Sequence, residues 1–407
     1  MSGSASGRSS LVTMPFCREL GTVLAHSSGM KGRRCVAFAA GVGIALAACA
    51  PGARAIIVLG SGDPAFNDYT LHPPSGSLAN SGGQFEGFFN GFLGTPIAPG
   101  FFLTANHIGG QVGDIISFRG VDYPTIATFG DPGGSDLRIW QVSGIFPEFA
   151  PLYLGAGTEV GQLLVAFGRG TQRGADLIQN GSTAGYAWGP LDFTERWGIN
   201  VVADIYTDPG YGALLHATFD AGAAGLGGFE CHLSDHDSGG GLFIQETGLW
   251  KLAGIHLAVD GPFYDAPAGG ASFNAALFDR RGYYVDDGQG GRTLVSGPTP
   301  NPSGFYSTQV SPRLAWIFFV IALPATEIVQ ANAETYLALS YSRPNDIGDV
   351  LYAVEVSDNL QAWNSGASFT TLVSDVDQGG MRRVTVRDNA PQSASARRFI
   401  RLRVTRP

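Results

Sequence analysis

The chain has 407 residues, of which 44% are hydrophobic and 14% are charged. This length is enough for two or three domains with hydrophobic cores, so the composition excludes a disordered or repeat protein. The formal net charge of −9 gives no support to nucleic-acid binding, which usually needs a basic stripe. With 59 glycines, many short strands joined by glycine turns are expected, and the chain is predicted to be all-β.

The first 55 residues have the pattern of a leader. A basic cluster at Met30–Arg34 precedes the apolar run Val36–Ala48, as in a secretory signal. Small residues ending at Ala55 follow, so export and a mature start at Ile56 are predicted, with the protein secreted, periplasmic or at the cell surface. The residues that end at Cys49 also resemble a lipobox, and a lipidated cysteine there would tether the protein to a membrane.

Cysteine usage predicts a mature chain without an intrachain disulfide. Three of the four cysteines fall in the leader, and only Cys231 lies beyond it. Stability must then come from the hydrophobic core. The leader cysteines are Cys17, Cys35 and Cys49.

Three short motifs carry candidate chemistry. The apolar residues Phe102–Ala105 lead directly to His107, which predicts a buried strand that ends at a positioned imidazole. An acid begins the alternating strand predicted from Asp136. The glycine-rich stretch Asp237–Gly240 exposes a serine hydroxyl after an acidic residue, as several hydrolases do. A base, an acid and a nucleophile thus follow one another as His107, Asp136 and Ser238.

These motifs and their order resemble the trypsin-like (chymotrypsin-fold) serine proteases, with Thr104–His107 as the histidine motif and Asp237–Gly240 as the serine motif. The resemblance covers roughly residues 56 to 321. It implies two antiparallel six-stranded β-barrels with the active site between them, and a secreted endopeptidase of bacterial type that acts on protein or peptide without a cofactor. By the same resemblance, Ser238 is the nucleophile, His107 its base and Asp136 the acid that orients the base.

Strand patterns place the barrels along the chain. The first is predicted from Gln84–Ile108, with a turn at Pro99–Gly100, and from Asp136–Val142 and Gln162–Phe167. The second is predicted to run from about Ser182 to Asn274. Its strands are expected at Gly198–Ile205, Gly241–Gln245 and Leu252–Val259.

A helix is predicted from Ser311 to Ile321, with Ser311 as the N-cap and Pro312 at the first helical position. It resembles the C-terminal helix that closes the protease fold. A surface loop at Asp286–Ser303 is expected before it.

After residue 323 the pattern changes to short alternating strands, which predicts a small antiparallel β-sandwich module. The module is similar to those appended to secreted bacterial proteins. The predicted domains are therefore a leader at 1–55, a protease domain at 56–323 and this module at 324–407. The strands are expected at Tyr336–Tyr341, Leu351–Val356, Arg382–Arg387 and Phe399–Val404.

The module contains one basic cluster in an otherwise acidic chain. A solvated strand face is the simpler interpretation, and binding of a surface or sorting component is the alternative. The cluster comprises Arg397, Arg398, Arg401, Arg403 and Arg406.

The resemblance assigns the oxyanion hole to the backbone N–H groups of His236 and Ser238. Glycine usually occupies the place of His236 because the loop takes an unusual backbone angle, so a histidine there is expected to be strained. This favours the alternative of a noncatalytic secreted binding protein on the same fold. Asp237 is expected to hold the loop through an ion pair, either with the amino terminus at Ile56 or with an internal basic group.

Gly254–His256 is similar to a segment of glutamyl endopeptidases, whose histidine contacts an acidic substrate side chain. His256, Leu257 and His232 are therefore candidate substrate-binding residues, with packed strand histidines as the alternative. His232 and His236 are spaced so that, on a helix, both could bind one zinc ion. No Glu follows His232, however, and the glycine run argues against a helix. No metal site is therefore predicted. An esterase is disfavoured because α/β-hydrolases place the serine first. Asp131 is the alternative to Asp136 as the acid that orients His107.

Overall fold

The computed structural model describes residues 11–13, 56–394 and 397–407. The predicted signal run Val36–Ala48, Cys49 and the cleavage site at Ala55 lie outside these residues. No helix in the described part of the chain is long and apolar enough to cross a membrane. Antiparallel strands dominate, which confirms the all-β prediction.

The first barrel is a closed sheet in the order β3–β4–β5–β8–β7–β6. Its core is aromatic: the ring centroid of Phe89 lies 5.0 Å from that of Phe102 and 5.4 Å from that of Trp140. The predicted turn at Pro99–Gly100 is confirmed between two strands. The strands are β1 Leu11–Thr13 and β2 Ile57–Val58, which precede the barrel, and then β3 Gly87–Phe89, β4 Phe92–Ala98, β5 Phe101–Ala105, β6 Ile115–Phe118, β7 Val121–Gly130 and β8 Leu137–Val142.

Fifteen strands follow before the helix, and most belong to the second barrel or to hairpins beside it. They are β9 Leu163–Gly168, β10 Thr171–Gln179, β11 Ser182–Leu191, β12 Arg196–Val201, β13 Asp204–Asp208, β14 Gly212–Thr218, β15 Cys231–His232, β16 Gly241–Glu246, β17 Leu249–Asp260, β18 Phe263–Tyr264, β19 Ser272–Phe273, β20 Ala275–Leu277, β21 Tyr284–Asp286, β22 Arg292–Leu294 and β23 Gly304–Gln309.

The second barrel has the strand order β12–β9–β16–β17–β23–β14–β13. Its two end strands, β12 and β13, are consecutive in the chain and separated only by Val202 and Ala203. At this bend the Val202 N–H donates to the Gln162 carbonyl at 3.1 Å and the Ala203 N–H to the His216 carbonyl at 2.8 Å. One bent strand therefore pairs at both ends of the sheet and closes a second six-stranded barrel, as predicted.

Two placements along the chain were wrong. The strand at Gln162–Phe167 was predicted for the first barrel, but β9 pairs with β12 and β16 of the second. The second barrel also ends later than Asn274, because β23 completes it after the loop at Asp286–Ser303, which itself contains β22. A short apolar run such as that of β9 predicts a buried strand but not which sheet it joins.

The predicted helix is present as α1, Leu314–Ile321, after a 3₁₀ turn at Ser311–Arg313. The predicted N-cap is wrong, because the Ser311 hydroxyl donates to Glu159 Oε1 at 2.5 Å and makes no capping bond. The helix is apolar because it packs on both the barrels and the C-terminal strands: Phe318 is in the barrel core, and Ala322, just past its end, is in the C-terminal core.

The C-terminal strands form a four-stranded sheet, β24–β25–β28–β27, and a two-stranded sheet, β26–β29. Leu339, Tyr341 and Val384 of the larger sheet pack against Val354 and Leu402 of the smaller one, as in a sandwich. The four predicted strands are present, with two more at the edges of the larger sheet. The strands are β24 Ala325–Ala331, β25 Glu334–Pro344, β26 Leu351–Ser357, β27 Thr370–Asp377, β28 Met381–Asp388 and β29 Phe399–Thr405.

Acidic partners neutralise much of the basic cluster of the C-terminal strands. Arg398 pairs with Asp388 at 2.6 Å, and Arg401 pairs with Glu355 at 2.7 Å. Arg406 pairs with Asp349 at 2.7 Å. Binding of a surface or sorting component by this cluster stays a prediction.

Candidate active site

Strand pairing in the first barrel brings His107 to Asp136. Strands β5 and β8 are antiparallel neighbours, with Ala105 opposite Leu137, so the residues after β5 meet those before β8. The Asn106 N–H donates to the Asp136 carbonyl at 2.6 Å and continues this pairing by one step. Two motifs far apart in the sequence are thus placed side by side at one rim of the barrel.

The carboxylate of Asp136 holds His107 by two hydrogen bonds. Its Oδ1 accepts the His107 backbone N–H at 2.9 Å, and its Oδ2 lies 2.5 Å from His107 Nδ1. Asp136 is 2% exposed, so water does not compete for these bonds. Because the carboxylate accepts, Nδ1 carries the ring proton, and the lone pair of Nε2 points away from Asp136.

That lone pair faces the serine. His107 Nε2 lies 2.7 Å from Ser238 Oγ, within hydrogen-bond distance. Ser238 lies in the turn between β15 and β16 of the second barrel, so the three side chains meet across the interface between the barrels. The structure therefore brings His107, Asp136 and Ser238 together in one hydrogen-bonded chain.

Asp131, the rival acid, does not take part. It accepts hydrogen bonds from Ser135 Oγ at 2.6 Å, from the Gly133 N–H at 2.9 Å and from Arg313 Nε at 3.2 Å. Burial alone would raise the pKa of Asp131, but these hydrogen bonds and the charge of Arg313 lower it below its ordinary value. Asp131 thus stabilises the turn that leads to Asp136.

His236 adopts the glycine-like backbone angle that its position requires. Its φ is +69°, in the left-handed region where histidine is one of the few enriched non-glycine residues. The imidazole stacks on Phe92 with a centroid distance of 5.0 Å and an interplanar angle of 4°, and it meets Phe193 edge to face with a centroid distance of 5.7 Å. Its Nδ1 is 3.2 Å from Asp235 Oδ2, without hydrogen-bond geometry. Packing of the ring therefore offsets the expected strain.

The turn leaves two backbone donors beside the serine. Its internal bonds run from the Asp237 N–H to the Ser234 carbonyl and from the Gly240 N–H to the Asp237 carbonyl, each at 3.2 Å. Within the described part of the chain, the N–H groups of His236 and Ser238 donate to no acceptor. Both amides are free to bind a ligand oxygen.

Asp237 is fully buried behind this turn. Its carboxylate accepts the N–H groups of Gly170 and Ser234, both at 2.7 Å, and the backbone amide of Ile56 is a further donor. Burial raises the pKa of Asp237 to about 7, and these hydrogen bonds only partly oppose it. Among the described residues, no Lys or Arg forms a salt bridge with it. The structure thus brings together the two members of the predicted loop ion pair, Asp237 and Ile56.

His256 borders the serine turn through its backbone. Its N–H donates to the Gly240 carbonyl at 3.0 Å, and its carbonyl accepts the Gly239 N–H at 3.2 Å. The imidazole is fully buried, with Nδ1 at 2.9 Å from Ser307 Oγ and the Phe167 backbone carbonyl as a further acceptor beside the ring. Burial lowers the pKa of His256 to about 3, so the ring is neutral. Leu257, the next residue, is a bulge without a partner in β23, and its side chain is buried.

His232 lies in the core and not at an open surface. It is fully buried between Phe219 and Phe305, with Nδ1 at 2.6 Å from the Leu233 carbonyl and Nε2 at 3.2 Å from Ser303 Oγ. Burial lowers the pKa of His232 to about 4. The segment to His236 is not helical, and no metal-binding cluster occurs among the described residues. The substrate-binding roles of His232, His256 and Leu257 stay predictions.

Sequence reasoning missed Glu86, a buried residue that joins the barrels. Its Oε1 accepts the Gly241 N–H at 3.0 Å and the Thr95 hydroxyl at 3.2 Å. Burial, followed by the charge of Glu195, raises the pKa of Glu86 well above its ordinary value. Glu86 thus fixes the start of β16, three residues after Ser238. No local signal marks it, since it precedes an ordinary apolar strand.

No family model matches this chain, and no curated protein matches it. Among solved structures it is similar to neuropsin, a serine protease expressed in the limbic system of mouse brain, with 14% sequence identity and a TM-score of 0.35. The match covers 61% of this chain and 97% of the neuropsin chain. The trypsin-like fold of this chain is defined by its own strand order, with two barrels and a short helix after them.

Proposed function

We propose that this protein is a serine endopeptidase in which Ser238 is the nucleophile, His107 the general base and Asp136 the acid that orients it. The observation that carries the proposal is the hydrogen-bonded chain from Asp136 through His107 to Ser238. A serine hydroxyl is a weak nucleophile, and a neutral imidazole held in one tautomer is the group that activates it. The support for this chemistry comes from the site and not from the fold alone.

In the proposed reaction, Ser238 Oγ attacks the carbonyl carbon of the scissile peptide bond while its proton moves to His107 Nε2. The carbonyl oxygen becomes an oxyanion, to which the free amides of His236 and Ser238 donate. The C–N bond then breaks as His107 returns the proton to the leaving amine. Water repeats these steps on the acyl-enzyme, and Asp136 stabilises the imidazolium each time it forms.

The noncatalytic alternative rested on a histidine in the oxyanion loop. The left-handed backbone of His236 removes the objection, because the loop keeps the angle that a glycine would give it. Its amide is unoccupied, as the proposed role requires. These two observations support the enzyme over the binding protein.

A fluorophosphonate probe, which labels activated serines, tests the proposal on residues 56–407. We expect labelling of the wild type and loss of labelling in Ser238→Ala and His107→Ala. Ser143→Ala and His72→Ala are the matched controls, since both side chains are exposed and neither residue hydrogen-bonds His107, Asp136 or Ser238, and both should label. A folded wild type that does not label contradicts the enzyme and favours the noncatalytic alternative.

We further propose a preference for glutamate or aspartate on the acyl side of the cleaved bond. His256 borders the serine turn, and no acidic side chain pairs with its buried ring among the described residues. A substrate carboxylate beside this ring would raise the pKa of His256, so that a charged pair forms only when the substrate is bound. A peptide library read by mass spectrometry tests the preference, and equal cleavage after acidic and neutral residues contradicts it.

Export is part of the same proposal, with removal of residues 1–55 and a C-terminal module at 324–407. A mature start at Ile56 would place a free amino group where the Ile56 amide meets the buried Asp237. Intact-mass analysis of the exported protein distinguishes this start from a lipidated Cys49. Comparing cell-surface retention with and without residues 324–407 tests the sorting role, and equal retention ends it.

A further inference from the structure

A groove of about 590 Å³ opens beside His107 on the first barrel. Asn90, at the turn between β3 and β4, lines one part of it, and the segment from His107 through Gln111 to Asp114 lines the rest. Asp114 is the only carboxylate among the lining residues, and no Lys or Arg is among them. The groove therefore combines one acidic side chain with the proposed general base.

The position of the groove decides which part of a substrate enters it. Strand β17 flanks the serine turn, since the His256 N–H and carbonyl bond to Gly240 and Gly239, and no β17 residue lines the groove. The groove instead extends from His107, the residue that hands a proton to the leaving amine. A substrate whose acyl half lies along β17 would therefore place its leaving half in the groove.

One oxygen of the Asp114 carboxylate is held by hydrogen bonds, and the other is open to a ligand. Its Oδ2 accepts Asn90 Nδ2 at 3.1 Å and the Gln111 N–H at 2.8 Å. Its Oδ1 accepts no hydrogen bond within the described residues. A pre-positioned acid loses little conformational entropy when it pairs with a ligand cation, which favours binding.

We propose that Asp114 is a specificity-determining residue that selects peptides with a basic side chain, Arg or Lys, on the leaving side of the cleaved bond. The inference rests on the proposed function and adds the leaving-side substrate class to it. Arg and Lys fit because each carries donors and a positive charge on a long stem that can reach a carboxylate within the groove.

Acyl transfer isolates the leaving side from the rest of the substrate. An ester substrate first acylates Ser238 Oγ and releases its alcohol. An added amine then attacks the ester carbon, the new C–N bond forms, the C–Oγ bond breaks, and the amine proton returns through His107 to Ser238 Oγ. Because the amine enters through the leaving-group site, the ratio of amide product to hydrolysis measures binding in the groove.

The test uses the full chain, with arginine amide compared with citrulline amide, its uncharged analogue of similar shape. We expect the arginine amide to be favoured about two- to fivefold, as for a partly exposed ion pair, and the preference to fade in about 1 M salt. Asp114→Asn should abolish the preference for arginine amide, and Asp114→Glu, which keeps the charge, should retain part of that preference. Asp122→Asn, which removes an exposed carboxylate of the same barrel outside the groove, should retain it.

The outcomes separate the two proposals. An enzyme that forms the acyl-enzyme but treats both amines alike overturns the role of Asp114 and leaves the serine endopeptidase intact. A preference that persists in Asp114→Asn also overturns it. Absence of an acyl-enzyme removes the proposed function and this inference together. If a variant fails to fold, the preference of the wild type for arginine amide over citrulline amide, and its loss in salt, still test whether a basic side chain is selected.

Discussion

His236 combines a left-handed backbone with an imidazole stacked on Phe92. The backbone costs about 1–2 kcal/mol for a residue with a Cβ, and the aromatic contact returns about 0.5–1.5 kcal/mol. We expect the free energy of unfolding of His236→Gly to lie within about 1 kcal/mol of that of the wild type. His236→Ala keeps the backbone strain and loses the ring, so we expect it to be less stable than the wild type by about 1 kcal/mol. Urea titration measures both. Probe labelling should survive in each, and its loss in His236→Gly would implicate the imidazole itself.

The buried Asp237 predicts how stability depends on pH. With an amide at Ile56, the pKa of Asp237 is about 7, above its ordinary 3.8. The native state then binds more protons than the unfolded state between about pH 4 and pH 7, so stability falls as the pH rises through this window. In a chain that starts at Ile56, the ammonium group pairs with Asp237 and lowers that pKa. Stability is then kept at neutral pH and lost as the ammonium deprotonates above about pH 8.

Melting temperatures between about pH 4 and pH 9 of a chain that starts at Ile56 and of one that retains Ala55 test this. Asp237→Asn is the control, because it removes the titrating group and should flatten the difference between the two chains. Identical pH profiles of the two Asp237 chains would show that the amino terminus does not reach the carboxylate.

The three residues of the hydrogen-bonded chain could be predicted from the sequence, whereas the residues that hold them in place could not. His107, Asp136 and Ser238 each sit in a short motif whose local residues already express the chemistry. Glu86 acts through Gly241, 155 positions away, and Arg313 through Asp131, 182 positions away. Contacts of this range leave no local pattern.

At the scale of the structural element, Arg313 fixes the turn that carries Asp136. From the turn before α1, its guanidinium bonds Asp131 Oδ2 at 3.2 Å and the carbonyls of Gln309 and Tyr211 at 2.6 and 2.8 Å. Arg313→Met removes the cationic partner of the largely buried Asp131 carboxylate, so we expect a loss of about 3–5 kcal/mol. A double-mutant cycle with Asp131→Asn should recover about 1–3 kcal/mol of that loss.

Urea unfolding of the four proteins in this cycle measures the coupling, and labelling rates report whether the Asp136 turn has moved. Lys251→Met is the comparison variant. It breaks a similarly buried cation from its acids Glu246 and Asp346, far from the turn, and should lower stability without slowing the labelling of the folded protein. Additive losses in the cycle would mean that Arg313 and Asp131 act independently.

Element existence was easier to predict than element partnership. The four C-terminal strands with alternating apolar residues were predictable, whereas β24 and β27 lie at sheet edges, are mostly exposed and lack that alternation. Strand β9 shows the reverse case, since its burial pattern was clear and its barrel was not. Pairing depends on which residues arrive from distant parts of the chain, and period-2 patterns do not encode this.

At the scale of the whole molecule, apolar contacts join the C-terminal strands to the barrels. Val350 and Met381 from the C-terminal part belong to the same apolar cluster as Phe318 of α1 and the first barrel. The ring of Tyr352 lies 5.4 Å from that of Tyr341 and 6.5 Å from that of Phe318. Because deletion of residues 324–407 would expose this surface, the sorting comparison must use folded protein.

Arg406, next to the last residue, fastens the C-terminal strands to the barrels. Its Nη2 donates to the Leu154 carbonyl at 2.7 Å, and its Nη1 donates to the Ser311 carbonyl at the start of the helical turn. Arg406→Ala leaves both carbonyls without this donor, so we expect a loss of about 1–3 kcal/mol in the free energy of unfolding. The Arg403 side chain is 60% exposed and, among the described residues, pairs only with Glu355, so Arg403→Ala should change the free energy of unfolding by less than about 0.5 kcal/mol. Probe labelling of the folded Arg406→Ala protein should match the wild type, because the contact lies outside the hydrogen-bonded chain. Equal stability of the two arginine variants would mean that the C-terminal strands are held by apolar packing alone.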